Sequence, residues 1–139
     1  MAEVSILVAV YNTSKYLHKC IDSLLNQSFN DIEIICIDDC STDDSLSILS
    51  SYAERDSRVK VIHLKQNTGL AHARNEGLKQ ATGNFICMVD SDDWISTDAI
   101  GQSVNVFRTH LKCDCVLFRF VLAYEENGKF RYEDFKSED

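Results

Sequence analysis

The chain contains no proline and only five glycines in 139 residues. That scarcity argues against a loop-rich, collagen-like or disordered chain, because those compositions depend on the two residues that interrupt regular structure. Cations are also in the minority: 14 Lys and Arg stand against 22 Asp and Glu, a formal net charge of −8. Without a cationic footprint, nonspecific binding to nucleic acid or to an anionic membrane is disfavoured. An anionic ligand would have to be held by a metal or by backbone N–H groups. No apolar run approaches the about 20 residues of a membrane span, and Met1-Ala2-Glu3 is not the basic start of a signal peptide. There is no internal repeat. What remains is a soluble, cytoplasmic chain, 45% apolar, long enough for one core and too short for two.

The six cysteines do not read as a disulfide framework. Cys36 and Cys87 sit inside apolar strand candidates, and no Cys-x-x-Cys pair occurs. Cys113 and Cys115 are too close along the chain for an ordinary bridge, so reduced and mostly buried thiols are expected. Zinc is disfavoured, because His18, His63, His72 and His110 fall at no ligand spacing to these cysteines.

Apolar strand-like runs alternate with helical patterns. After the run Val4 to Val10, the residues Leu17, Cys20, Ile21, Leu24 and Leu25 recur at helical spacing. Asp31 to Asp39 predicts a second strand, and Ser41-Thr42-Asp43 offers N-caps for a helix carrying Leu46, Leu49 and Ala53. Val59 to Leu64 predicts a third strand, and Asn67-Thr68-Gly69 turns the chain into a helix with Leu70, Ala73, Gly77, Leu78 and Ala81 facing inward. Phe85 to Val89 predicts a fourth, after which Thr97-Asp98 caps a helix bearing Ile100, Val104 and Phe107. Val116 to Ala123 is a candidate fifth strand, with Asn127-Gly128 as a hairpin turn into a short strand around Phe130 to Tyr132. Four strand–helix units predict an α/β fold, a Rossmann-like and mainly parallel sheet with helices on both faces. The expected division is a domain over 1–123 and an acidic hairpin or tail over 124–139, leading toward something larger.

The polar residues cluster where the strands end. The first strand ends in Ala9-Val10-Tyr11-Asn12, the second in Asp38-Asp39-Cys40-Ser41-Thr42-Asp43, and the fourth in Asp90-Ser91-Asp92-Asp93. In a parallel sheet these ends share one edge, so residues distant in sequence converge on one crevice. The acids after the fourth strand repel one another, which a divalent cation among them or a retained proton would relieve.

These segments, with Asn67-Thr68-Gly69-Leu70-Ala71-His72-Ala73-Arg74-Asn75-Glu76-Gly77 between them and Trp94 after the last, resemble in order the signatures of family 2 glycosyltransferases of the GT-A fold. The resemblance covers roughly residues 3 to 110, the nucleotide-sugar-binding half of such an enzyme. It implies that Ala9, Val10 and Tyr11 frame the nucleotide base and that Asp39 accepts from the base N3–H, which favours uridine diphosphate-sugars. It implies further that Asp90-Ser91-Asp92 is the Asp-x-Asp motif: Asp90 at the ribose or the metal shell, Asp92 on a Mn²⁺ or Mg²⁺ ion, and Ser91 beside the donor. Arg74 would approach the nucleotide or its phosphates, while Asn67 and Gly69 shape the loop ahead of it. The implied reaction is inverting, metal-dependent transfer from a nucleotide-diphosphate sugar to a saccharide or lipid-linked acceptor, with the longer protein peripheral to the inner face of the membrane.

The sequence departs from the family where Ala9 stands for a common Pro and Cys40 for a common Gly; Cys40 is acceptable if its φ is negative. The family's catalytic base lies in a later acceptor-side segment with no counterpart after Ala123. The resemblance therefore implies a base beyond Asp139, and binding of the donor without turnover is the alternative reading. Simpler roles are also open. Asp38 would satisfy turn N–H groups, Asp43 and Asp44 would start a helix, Trp94 would anchor packing, and Arg74 would form a surface ion pair. A phosphohydrolase would carry its Asp-x-Asp on the first strand; a phospho-accepting receiver would need a lone Asp after the third strand and a Lys after the fifth. Tyr11-Asn12, Leu64-Lys65 and Ala123-Tyr124 do not supply these, and phosphate-loop and dinucleotide fingerprints are absent.

Overall fold

The structure, a computed structural model, describes residues 2–118 and 120–134. In chain order the elements are β1 (Val4–Val10), α1 (Ser14–Leu25), β2 (Ile32–Asp38), α2 (Ser45–Arg55), β3 (Val59–His63), α3 (Leu70–Gln80), β4 (Phe85–Met88), α4 (Ala99–Thr109), β5 (Val121–Glu126) and β6 (Lys129–Asp134). The described residues fall into two compact units, divided between Asn105 and Val106.

In the first unit the strands form one parallel sheet in the order β3-β2-β1-β4. The order follows from composition. β1 and β2 read VSILVAV and IEIICID, apolar on both pleat faces, and they take the two central places; β2 is buried throughout. The chain steps outward from β1 to β3 and then returns to place β4 on the other side of β1. That reversal between β1 and β4 makes the switch point at which open α/β sheets bind ligands.

Helices cover both faces, as the α/β expectation requires. Val4, Ile6, Val8 and Val10 of β1, with Ile32, Ile34 and Cys36 of β2, pack against Leu17, Ile21 and Leu24 of α1, Leu49 and Tyr52 of α2, and Ile100 and Val104 of α4. On the opposite face Leu7, Ile35 and Ile37 meet Ala73 of α3. There α3 lies close to the sheet: a Cβ on Gly77 would stand 2.6 Å from Ile37 Cδ1. Only a small-residue stripe fits that gap, which corrects the expectation for Leu70 and Leu78. They flank the contact and are 52% and 39% exposed.

Two buried polar groups pin the loops. Gln27 donates to the Ser23 and Ser96 carbonyls and accepts from the Ile100 N–H, satisfying a free donor at the start of α4. Glu33 accepts from the Ser5 hydroxyl and from the N–H and hydroxyl of Thr82, and its other oxygen lies 2.6 Å from Lys60 Nζ.

In the second unit, β5 and β6 form an antiparallel hairpin with Glu126 opposite Lys129. Asn127 and Gly128 both take positive φ, +51° and +73°, as the tight two-residue turn requires. β5 begins at Val121, later than the 116–123 expected, and pairs with β6 in the hairpin that Asn127-Gly128 predicts. Within the acidic tail, residues 135–139, ending in Asp139, lie outside the described residues, as does Arg119 inside the expected strand. The catalytic base expected beyond Asp139 likewise falls outside the described residues, which end at Asp134. The six cysteines are free; Cys20, Cys36 and Cys87 are buried, Cys40 and Cys113 partly so, and Cys115 is exposed, so burial extends to half of them. Among the described residues no helix is long and apolar enough to cross a membrane.

Candidate functional site

A cleft of about 320 Å³ opens at the carboxyl edge of the sheet, above the β1/β4 switch point. Its lining comes from the end of β1 (Ala9, Val10, Tyr11, Thr13), from Asp39 after β2, from the start of α3 (Asn67, Gly69, Leu70, Ala73) and from Asp90, Ser91 and Asp92 after β4. Nine of the ten residues singled out in the sequence thus line one cavity, and the tenth, Arg74, reaches its rim through Asp90.

The loops at this edge are tied to one another. The Asp39 N–H donates to the Val10 carbonyl at 2.8 Å, and Asn12 Oδ1 accepts from the N–H groups of Thr42 and Asp43. Asp43 is the hub of this corner. Its carboxylate accepts the Ser14 N–H of α1 at 3.0 Å and the Ser45 N–H of α2 at 2.9 Å. Burial opposes its ionisation, yet these donors outweigh it and hold the carboxyl well below the usual range. Asp43 is therefore a helix-start residue, as the simpler reading has it, whereas Asp44 at the N-cap of α2 makes no side-chain cap bond.

Cys40 falls on the unfavourable side of the condition set by its backbone. Its φ is +62°, the left-handed region that a side chain adopts only at a cost, so the condition for accommodating it without strain is not met. Asp38 is not part of the cleft's lining. It accepts from the Ser41 N–H at 3.3 Å and lies 2.8 Å from His63 Nδ1, while its Oδ1 is buried without a hydrogen-bond partner.

Asp39, 3% exposed, takes three donors from the loop before α3. Oδ1 accepts both the N–H and the hydroxyl of Thr68 at 2.8 Å, and Oδ2 accepts the Gly69 N–H at 2.7 Å. Burial raises its pKa, but these bonds, joined by the nearby His72, overcome the penalty and keep the carboxyl below its ordinary value. Gly69 sits at φ +86° and ψ +160°, a conformation open essentially to glycine alone. Its geometry turns its N–H to Asp39 while its carbonyl accepts the Ala73 N–H in the first turn of α3.

After β4 the chain turns through an Asp93 N–H bond to the Asp90 carbonyl. Arg74 Nη2 donates to Asp90 Oδ1 at 2.6 Å, so one acid of the cluster has a cationic partner from the protein itself. The negative field nevertheless persists. Asp93 is pushed up first by burial and then by Asp92 and Asp90, and the buried Cys20 thiol, whose Sγ lies 3.6 Å from the Asp90 carbonyl, is pushed up to about 12 by burial and the same acids. Among the described residues no cluster of three His, Cys, Asp or Glu forms a ready cation cage. The donors still fit a diphosphate-borne ion. Asp90 and Asp92 are exposed at the cleft, and a Mg²⁺-like ion needs only about one or two protein carboxylates when phosphates and water complete its shell.

Lys19 Nζ stands 3.2 Å above the centre of the Trp94 ring, placing that indole in a cation–π contact. Thr13, Leu70 and Ala73 line the cleft without having been singled out as ligands, and Thr68 holds Asp39. Thr13 donates its hydroxyl to Ser91 Oγ at 2.9 Å across a separation of 78 residues, a contact that no local pattern announces. The Ala73/Gly77 pair was the only advance signal that α3 packs closely here.

The chain is 44% identical over 126 residues to the putative glycosyltransferase EpsH of Bacillus subtilis (strain 168), covering 91% of this chain and 36% of that protein. Its fold is similar to that of S. aureus TarS 1–349, solved in complex with UDP, with a TM-score of 0.73 and 36% identity over 80% of this chain and 33% of TarS 1–349. It is similar also to the mannosyltransferase PcManGT of Pyrobaculum calidifontis, solved with GDP-Man and Mn²⁺, with a TM-score of 0.70 and 25% identity over 76% of this chain and 32% of the other. The chain spans about a third of the length of these relatives. The sheet order and flanking helices are those of a GT-A glycosyltransferase fold. With the profile of Glycosyl transferase family 2 matching residues 5–137, the chain belongs to glycosyltransferase family 2.

Proposed function

We propose that this chain is the donor-binding part of an inverting glycosyltransferase that takes its sugar from a nucleotide diphosphate, with a uridine nucleotide preferred. The observation that carries the reading is the convergence of Tyr11, Asp39, Asp90 and Asp92 on one cleft at the switch point, from segments spread across 82 residues of sequence. TarS, solved with UDP and with UDP-GlcNAc, supports the choice of base; PcManGT, solved with Mn²⁺, supports the choice of cofactor.

In this reading Ala9, Val10 and Tyr11 form the wall against which the base lies, and the half-exposed Tyr11 ring offers it a stacking face. Asp39, kept ionised by its donors, accepts the imide N–H. Asp90 and Asp92 would hold Mn²⁺ or Mg²⁺, which when bound neutralises the diphosphate and stabilises it as leaving group. Arg74 holds Asp90 in place through their ion pair and brings a guanidinium to the phosphate side of the cleft. Ser91, buried and bonded to Thr13, fixes the backbone between the two acids.

The relatives extend well beyond the matched part, and we place the general base that deprotonates the acceptor hydroxyl in such an additional segment, beyond Asp139. The acceptor, a saccharide or a lipid-linked sugar, would be met there, at the inner face of the membrane. The same fraction of relative length favours a second reading, donor binding without turnover by this chain alone. The test is Asp92→Ala: nucleotide diphosphate binding should lose its dependence on Mn²⁺, and a variant as metal-dependent as the parent would overturn the site.

A further inference from the structure

A carboxylate offers about four lone-pair directions, two on each oxygen. At Asp39 three are taken, two on Oδ1 by Thr68 and one on Oδ2 by Gly69, and the residue lines the cleft while being almost fully buried. One acceptor position therefore remains, and it is on Oδ2. Resting on the reading of Asp39 as the base-recognising group, we propose that Thr68 is the positioning residue for base selectivity: by filling Oδ1 it orients the carboxylate and leaves Oδ2 as the single open acceptor.

The consequence is discrimination between pyrimidines. A uracil presents an imide N–H at N3, which an ionised acceptor with one open position suits; a cytosine presents an acceptor at the same place and meets repulsion. The backbone N–H groups of Thr68 and Gly69 hold one oxygen each, and the Thr68 hydroxyl alone closes the second acceptor position of Oδ1, so that the base meets Oδ2 and not Oδ1. The charged surroundings are few. His72 of α3 acts favourably on Asp39, the β1 wall of Ala9, Val10 and Tyr11 holds no acidic or basic side chain, the neighbouring Asp38 is bonded to His63, and Asp90 and Asp92 stand on the β4 side of the cleft.

Thr68→Val keeps the N–H and the shape of the side chain but removes the hydroxyl donor. With saturating Mn²⁺, calorimetric titration of the full chain should show UDP weakened about five- to tenfold, part of the worth of a charge-assisted hydrogen bond, while CDP changes less than about twofold. Thr68→Ser should restore the parent preference. In the nucleotide-free protein, the Asp39 carboxyl followed by ¹³C NMR should titrate at higher pH in Thr68→Val than in the parent or in Thr68→Ser, which verifies that the bond is lost, while the UDP/CDP ratio is the readout that a loop-folding role would not move.

Equal weakening of UDP and CDP, or an unchanged UDP preference, would overturn the inference. If the valine variant does not fold, Thr68→Ala makes the same comparison, and an Asp39 carboxyl titrating at its ordinary value in the parent would by itself be contrary. Asp39→Asn separates the two layers. If it leaves the UDP/CDP ratio of the parent intact, or if the parent has no preference, the reading of Asp39 fails and this inference with it. If it erases a preference that Thr68→Val preserves, only the role of Thr68 falls.

Discussion

Replacing Glu33 by Gln should make the fold less dependent on pH in acid, and the size of the effect follows from the network at the amino end of the sheet. Glu33 is 4% exposed between Ser5, Thr82 and Lys60. Burial works against its ionisation, yet the Lys60 ammonium and the donors of Ser5 and Thr82 outweigh it and lower the carboxyl from 4.5 to about 2. Such a drop corresponds to about 3 kcal/mol of folding stability at neutral pH. Lys60 is half in water, so its share is screened and about 2 kcal/mol is the expected contribution. Because the folded-state value is depressed, this stability is fully present above pH 4.5 and is lost as pH falls through about 2. Glu33→Gln keeps one carbonyl acceptor for the Ser5 and Thr82 donors but turns an amide toward Lys60. Urea unfolding of both proteins from pH 7 to pH 2 should show a stability gap of about 2 kcal/mol that closes progressively below pH 4.5. A gap that stays constant across that window would refute the reasoning, since it would mean that the charge of Glu33 adds nothing to what its shape provides.

Three further outcomes follow from the same geometry. Cys40→Gly should stabilise the chain by about 0.5–1 kcal/mol in urea unfolding, because relief of the +62° φ exceeds the added unfolded-state entropy. Gly83→Ala should cost about 2–3 kcal/mol or prevent folding, since its Cβ would meet the Ser5 nitrogen at 2.5 Å and the Val4 carbonyl carbon at 2.8 Å; Gly77→Ala meets side chains only, Ile37 Cδ1 at 2.6 Å, Ile37 Cγ1 at 3.2 Å and Leu7 Cδ2 at 3.4 Å, which can shift, and helix propensity offsets part of its cost, to about 1 kcal/mol, so the two melting temperatures should differ clearly. Asp43→Ala should lower stability by about 1–2 kcal/mol by uncapping α1 and α2 together, and Asp43→Asn, whose single amide oxygen can accept from only one of the two N–H groups, should recover about half of it at most.

The sheet and its helices were legible because each strand is a short apolar run and each helix begins at a polar turn. The central position of β1 and β2 was implicit in their two-sided apolarity. The crevice was legible for the same reason, since parallel topology brings strand ends together whatever lies between them. What the sequence concealed were contacts made at a distance. Nothing local shows that Arg74 turns to Asp90 or that Thr13 reaches Ser91, because both depend on where the sheet reversal puts β4. Leu70 and Leu78 misled through their helical spacing: periodicity marks an apolar face but not how closely it approaches, and the Gly77 contact leaves room only for small side chains. At Cys40 the sequence posed the question without answering it: the backbone demand that favours Gly there persists although the residue has changed, and only the structure gives the sign of φ. The Asn127-Gly128 hairpin was legible from its turn residues, whereas the start of β5 at Val121 was not, since the apolar residues from Val116 mark no boundary there.

The central claim is that the cleft binds a nucleotide diphosphate with a divalent cation, and the direct measurement is calorimetric titration of the chain with UDP, GDP, CDP and ADP, each with Mn²⁺ and again with EDTA. Binding of UDP in preference to the other three, strong with Mn²⁺ and lost in EDTA, is the predicted result. Absence of binding for all four nucleotides with Mn²⁺ present, or equal binding regardless of base and metal, would contradict it.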